Sequence, residues 1–148
     1  MTRDEATDVL VGLVHAIDRR DWAGVRAAFT ERLTVDYSSL FGGDPEELAA
    51  DDLLSRWQGL LPGFDATQHV LGPVEVGHGS DPMRADVHVR AHHYLDGADG
   101  GPEWMVAGHY VARLAEQDGV WRLASLTLET YRQEGNTRLP ELATARVG

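Results

Sequence analysis

The sequence predicts an α+β domain in which helices come first and a run of antiparallel strands follows, the helices packing on one face of a curved sheet. Three observations predict it. Apolar residues recur at three- and four-residue spacing near the N-terminus, after residue 65 the pattern turns to alternation, and "GHGSDP", "DGADGG" and "EQDG" punctuate the alternating part as turns do. At 148 residues the chain fits a single domain, 1–148, and no repeat, low-complexity tract or linker divides it.

Residues 3–18 form the first expected helix, with Ala6, Leu10, Leu13, Val14 and Ile17 on one stripe. "RRDW" breaks it, and Asp21 is the expected N-cap of a short second helix carrying Trp22, Val25 and Phe29. "RLTVDYSSL" alternates as a strand, with Leu33, Val35, Tyr37 and Ser39 on one face. In "GGDPEELAADDLLSRWQGLL", Asp44 as N-cap, Pro45 at the first position and Glu46 and Glu47 in the first turn predict a third helix. Its buried stripe is Leu53, Trp57 and Leu60 or Leu61. Four strands are expected over 67–76, 84–95, 103–115 and 119–131, and the last 15 residues lose periodicity, as a tail that covers something or frays.

Composition narrows the chemistry. There is no cysteine and no lysine, since all 13 basic residues are arginine; disulfides, thiolate nucleophiles, cysteine-bound metals and Schiff bases are excluded. A formal charge of −11 without a basic stripe speaks against nucleic acid and anionic membranes as partners. No membrane span or signal-peptide core is present, so the expected location is cytoplasmic. Histidine, aspartate, glutamate, tyrosine, serine and threonine remain.

Seven histidines occur, and five (His69, His88, His92, His93 and His109) fall in predicted strands. In "RADVHVRAHHYL", Ala85, Val87, Val89, Ala91, His93 and Leu95 share the apolar face, which turns His93 inward and His88 and His92 outward. In "MVAGHYVARL" alternation leaves the direction of His109 open. A buried imidazole needs a hydrogen-bond partner. Asp18, one turn after Val14 at the edge of the helical stripe, is placed to meet the sheet, and Tyr37 presents its hydroxyl to the same interior. Each also has a plainer reading as satisfied core or as a salt-bridge partner of "RR". Metal binding is disfavoured: His88 and His92 lie too far apart along a strand, and there is no HExxH motif or close carboxylate triad.

The segments "AIDRRDWAGVRAAFTERLTVDYSS", "TQHVLG", "VRAHHYL", "AGHYV", "DGVWRLASL" and the late "EGN", in that order, resemble the scytalone dehydratase-like branch of the SnoaL-like proteins, in the nuclear transport factor 2-like superfamily. The resemblance covers nearly the whole chain. It implies a cone-shaped, curved antiparallel sheet closed by N-terminal helices. It also implies His69 as general base, Asp18 as its partner and Tyr37 as the tyrosine that polarises a substrate carbonyl. The second histidine of that family falls at His109 or His93. A tyrosine that precedes the aspartate there is Ile17 here, which leaves Tyr37 to act alone.

The expected function is that of a cofactor-independent acid–base enzyme on a small hydrophobic oxygenated molecule, a dehydratase (lyase) with His69 as base. No metal or organic cofactor enters. Asp18 orients His69, Tyr37 donates to the developing enolate, and His93 or His109 protonates a leaving hydroxyl. Trp57 and Phe64 line the pocket mouth, with plain core packing as their other reading. An isomerase or polyketide-cyclase-like enzyme in the same pocket, or a non-catalytic small-molecule-binding protein, are the alternatives. By analogy with such cones, a homo-oligomer, dimer or trimer, forms through the convex sheet face, near Arg84, His88, Arg90, His92 and Tyr94.

Overall fold

The computed structural model describes residues 1–77 and 79–148; His78, in the predicted turn "GHGSDP", lies outside the described residues. In chain order the elements are α1 (Arg3–Asp18), α2 (Trp22–Ala27), β1 (Phe29–Asp36), α3 (Ser38–Phe41), β2 (Glu46–Ala49) and α4 (Ala50–Gln58). A 3₁₀ turn (Leu61–Gly63) precedes β3 (Ala66–Leu71), β4 (Glu75–Val76), β5 (Arg84–Tyr94), β6 (Glu103–Gln117), β7 (Val120–Gly135) and α5 (Leu139–Val147).

α1 begins with a capping box in which the Thr2 hydroxyl accepts from the Glu5 amide at 3.1 Å and the Glu5 carboxylate accepts from the Thr2 amide at 2.8 Å. Its predicted stripe is buried, and Leu10, Leu13, Val14 and Ile17 each contribute roughly 1.5–3 kcal/mol by leaving water. α2 is capped by Asp21 as expected, but Phe29 opens β1 instead of closing that helix. There it is fully buried, with its ring edge-on to Trp57 at 5.9 Å.

The sheet runs β2-β1-β7-β6-β5-β3, with β4 also on β5. It is not purely antiparallel, because β1 lies parallel to β7 while the other pairs are antiparallel. The chain crosses over from β1 to β7 through everything between, a pairing that local alternation does not encode. β7 carries two bulges against β6, leaving Ala124 and Tyr131 without register partners, and such extra residues bend and twist a sheet. Gly108 faces the second bulge, where a Cβ would run into the Glu129 carbonyl oxygen.

A further expectation needs correction. Residues 46–49 are an edge strand and not the first turn of a helix. Pairing them with β1 satisfies that strand's outer edge and buries Leu48, while Pro45 precedes the strand, where its missing N–H costs no ladder bond. The helix starts only at Ala50, with Asp51 and Asp52 in its first turn. The tail takes the covering alternative: it forms α5 and covers the 3₁₀ turn, burying Leu139 and Ala143. Gly63 permits the close approach, since a Cβ there would collide with the Ala143 carbonyl. The "EGN" asparagine is structural: Asn136 donates to the carbonyls of Asp99 and Gly101 at 2.9 Å each, closing the β5–β6 loop.

Candidate active site

The last residue of α1 meets the edge strand β3, whose amides on one side have no strand to pair with. Asp18 supplies the missing acceptor: its Oδ2 takes the His69 backbone N–H at 2.7 Å. In a strand, residues two apart share a face, so Thr67 and His69 both turn toward the same carboxylate. Oδ1 accepts from the Thr67 hydroxyl at 2.9 Å and meets His69 Nδ1 at 2.7 Å. A carboxylate only accepts, so Nδ1 carries the proton and Nε2 is the nitrogen left for the cavity that His69 lines. Burial pushes the Asp18 carboxyl up. The hydrogen bond and charge of His69, its amide and Thr67 together outweigh that and hold it below the usual carboxylate value.

The cavity, of about 80 Å³, lies between the concave sheet face and the helices. Its polar groups are His69, His93, Tyr37 and Tyr110, with the Trp104 ring beside them, and the remaining lining is aliphatic or aromatic, including Ile17 and Trp57. His93 is buried, stacked on Trp104 at 4.3 Å, with its ring centroid 6.2 Å from that of His69. Its Nδ1 lies 3.0 Å from the Trp104 carbonyl oxygen, which fixes the proton on that nitrogen and makes Nε2 an acceptor. Burial drives its pKa down to about 4, against the smaller opposing effect of the carbonyl bond. His93 is therefore neutral at pH 7.

Tyr37 and Tyr110 bring their hydroxyls together in the cavity. Burial, then the neighbouring Tyr110, pushes Tyr37 well above its ordinary value. Tyr110 is raised to about 12, chiefly by burial and further by the Asp18 charge, with the bond to Tyr37 acting the other way. Both stay protonated near neutrality.

The structure brings His69, His93, Tyr37, Ile17 and Trp57 to one cavity, holds Asp18 behind His69, and leaves His109 and Phe64 out of the lining. His109 lies on the opposite sheet face, in register with His88, and interacts with Tyr131, Glu129 and Asp86. Its neighbour Tyr110 takes the inward position. Alternation from Trp104 through Val106 to Tyr110 makes both assignments, and the glycine at 108 obscured it. Phe64 packs behind His93, ring centroids 5.0 Å apart, and supports that ring without lining the cavity. Tyr37 is not alone, because Tyr110 supplies a second hydroxyl from β6 where Ile17 supplies none. Among the described residues no group of three or more histidine, aspartate or glutamate side chains is placed to hold a metal ion, and no helix is long and apolar enough to cross a membrane.

The sequence reading also missed Arg20. It follows α1 at φ 57°, in the left-handed region, and the Asp21 N–H to Ala16 and Arg20 N–H to Ile17 bonds make the helix end a Schellman motif. Glycine normally takes that place, and another residue there costs on the order of 1 kcal/mol. The signal was visible only as a non-glycine at a helix end. The guanidinium donates to the carbonyls of Ile17 and Leu61, each at 2.8 Å, and to the Thr67 hydroxyl at 2.9 Å.

An α+β chain whose helices close a curved sheet over an apolar cavity, with a carboxylate–imidazole pair at the wall, defines a class of small pocket proteins. The chain belongs to the SnoaL-like domain family, whose model matches residues 1–127. It is similar to the Kfla4162 protein from Kribbella flavida, with 29% identity and a TM-score of 0.84 over 94% of this chain and 96% of that one. A protein of Novosphingobium aromaticivorans provisionally named a scytalone dehydratase shares the fold, at 19% identity and a TM-score of 0.73, covering 90% and 86% of the two chains. So does the hexachlorocyclohexane dehydrochlorinase LinA-type3 from Novosphingobium barchaimii, at 14% identity and a TM-score of 0.65 over 90% and 89%. No curated protein sequence matches the chain.

Proposed function

We propose that this protein is a cofactor-independent dehydratase acting on a small, largely apolar ketone that carries a hydroxyl β to the carbonyl. The observation that carries the reading is the Asp18–His69 pair at 2.7 Å, which engages Nδ1 and leaves Nε2 for the apolar cavity that His69 lines. His69 Nε2 takes the proton α to the carbonyl. Tyr110, whose hydroxyl accepts from Tyr37, donates to the oxygen as enolate charge develops, the preorganised stabilisation that low-dielectric sites make strong.

The second histidine acts differently from the expectation that it protonates the leaving group. His93 has its one proton on the Trp104 carbonyl and is too weak a base to hold a second at pH 7. Its Nε2 accepts from the substrate hydroxyl and aims it. The proton then returns from the His69 imidazolium to that hydroxyl as the C–O bond breaks, giving an enone and water with the enzyme unchanged. The acceptor role also favours a hydroxyl leaving group over a halide, which has no proton to offer. The solved relative named for dehydrochlorination supports elimination as the reaction class in this fold and leaves the leaving group open.

An isomerase or cyclase would use the same base and keep every atom of the substrate, and a binding protein would return it unchanged. The test is a panel of cyclic β-hydroxyketones incubated with wild type and His69→Ala, analysed by mass. Water loss that vanishes in the variant supports the dehydratase. Turnover without mass change indicates isomerisation or cyclisation, and unchanged substrate with measurable affinity indicates binding alone. We further propose self-association through the outer sheet face, which sedimentation of the intact chain tests.

A further inference from the structure

We infer that Arg20, acting through Thr67, is a positioning residue that fixes the ionised Asp18 carboxylate on which the proposed base depends. The inference rests on the assignment of Asp18 and His69 to one pair, and it gives a role to two residues that do not line the cavity.

Hydrogen-bond directions impose it. A guanidinium only donates, so Arg20 Nη1 forces the Thr67 oxygen to act as acceptor at 2.9 Å. The single Thr67 proton is thereby committed to Asp18 Oδ1, also at 2.9 Å. Oδ1 receives Thr67 and His69 Nδ1, Oδ2 receives the His69 amide, and no donor can be replaced without turning the carboxylate. The relay thus sets both the charge and the orientation of the group that fixes the His69 tautomer. Arg20 also holds the Leu61 carbonyl, and Leu61 is part of the cavity wall. One side chain ties the dyad to the wall above it.

Its backbone argues for function as well. The left-handed position at the end of α1 suits glycine, yet arginine stands there and its guanidinium donates to Ile17, Leu61 and Thr67 at this one corner. A residue selected only to end the helix would be glycine. The charged and titratable groups that face Asp18 are Arg20 from its own loop, His69 on β3, His93 on β5 and Tyr110 on β6.

The experiment needs no substrate. Asp18 is followed by carboxyl-carbon NMR across pH, and the His69 Nδ1 proton by its downfield resonance, in wild type, Arg20→Gly, Thr67→Val and Thr67→Ser. Arg20→Gly relieves the backbone while deleting the guanidinium, so it is expected to fold with an undiminished Tm. The Asp18 midpoint should rise by roughly one pH unit in Arg20→Gly and in Thr67→Val. The Nδ1 resonance should shift or broaden with it, and Thr67→Ser should restore wild-type behaviour. Unchanged Asp18 and Nδ1 signals in folded Thr67→Val and Arg20→Gly would overturn the inference. Because these signals are read without turnover, a shift in them together with no water loss from any ketone counts against the dehydratase reading alone.

Discussion

Two histidine pairs sit on opposite faces of one sheet. On the concave face His69 and His93 each bind one acceptor through one nitrogen, Asp18 and the Trp104 carbonyl, and both are shielded from water. On the convex face His88 and His109 are ring neighbours at 6.2 Å, and His109 has Tyr131, Glu129 and Asp86 around it, with Glu129 half exposed. The residue types are the same and His88 and His93 share a strand. On the concave face each ring spends one nitrogen on one acceptor and keeps the other for the cavity, whereas His109 has partners at both nitrogens and keeps neither for a ligand. The proposed chemistry uses the first arrangement.

The largest expected effect breaks the concave pair. His69→Ala should lower kcat on a turned-over ketone by about 10²–10⁴-fold, the usual contribution of a positioned base, with the far-ultraviolet spectrum unchanged. Retention of more than about a tenth of wild-type kcat would remove His69 from the base role.

Stability against pH sharpens the contrast. In the unfolded chain His93 protonates near its ordinary 6.5, and in the folded protein only near 4. Between those values the unfolded state binds the extra proton. His93's contribution to stability is therefore full above about pH 6.5 and is lost as pH falls to about 4, by up to about 3 kcal/mol. Urea melts at about pH 7 and about pH 4.5 should show that loss in wild type and much less of it in His93→Asn. Equal losses in the two would refute the burial of a neutral His93.

A third effect addresses the β7 bulge that Gly108 of β6 faces. Gly108→Ala places a methyl against the Glu129 carbonyl and should cost about 1–3 kcal/mol, read as a lower urea midpoint. No loss would mean that β7 yields there freely. The smallest effect belongs to the convex pair: His109→Ala should change kcat less than about twofold and stability by about 0.5 kcal/mol or less, as for surface substitutions generally. A tenfold fall in kcat would link the convex face to the site.

Much of this was legible in the sequence because it is local. The stripe of α1, the Asp21 cap and the alternation that turns His93 inward follow from periods of about 3.6 and about 2.0 residues. Asp18 and His69 were named from the ends of such patterns. The third helix misled because Asp44, Pro45 and two glutamates are equally good at opening an edge strand, and the need of β1 for a partner decided the matter. His109 misled because Ala107 and Gly108, both small, hid which face was apolar. Arg20 and Thr67 carry no pattern at all, since they lie 47 residues apart and acquire meaning only when they touch.

The sequence by itself determined the α+β class, the excluded chemistries, the inward faces and most of the titratable residues, because each depends on residue type and short-range periodicity. Tertiary structure alone decided that β1 runs parallel to β7, that the tail folds back over the 3₁₀ turn, and that Tyr110 joins Tyr37. It alone also decided which proton each concave-face histidine keeps. Those are properties of partners far apart in the chain, and a hydrogen bond has direction only once both of its ends are in place.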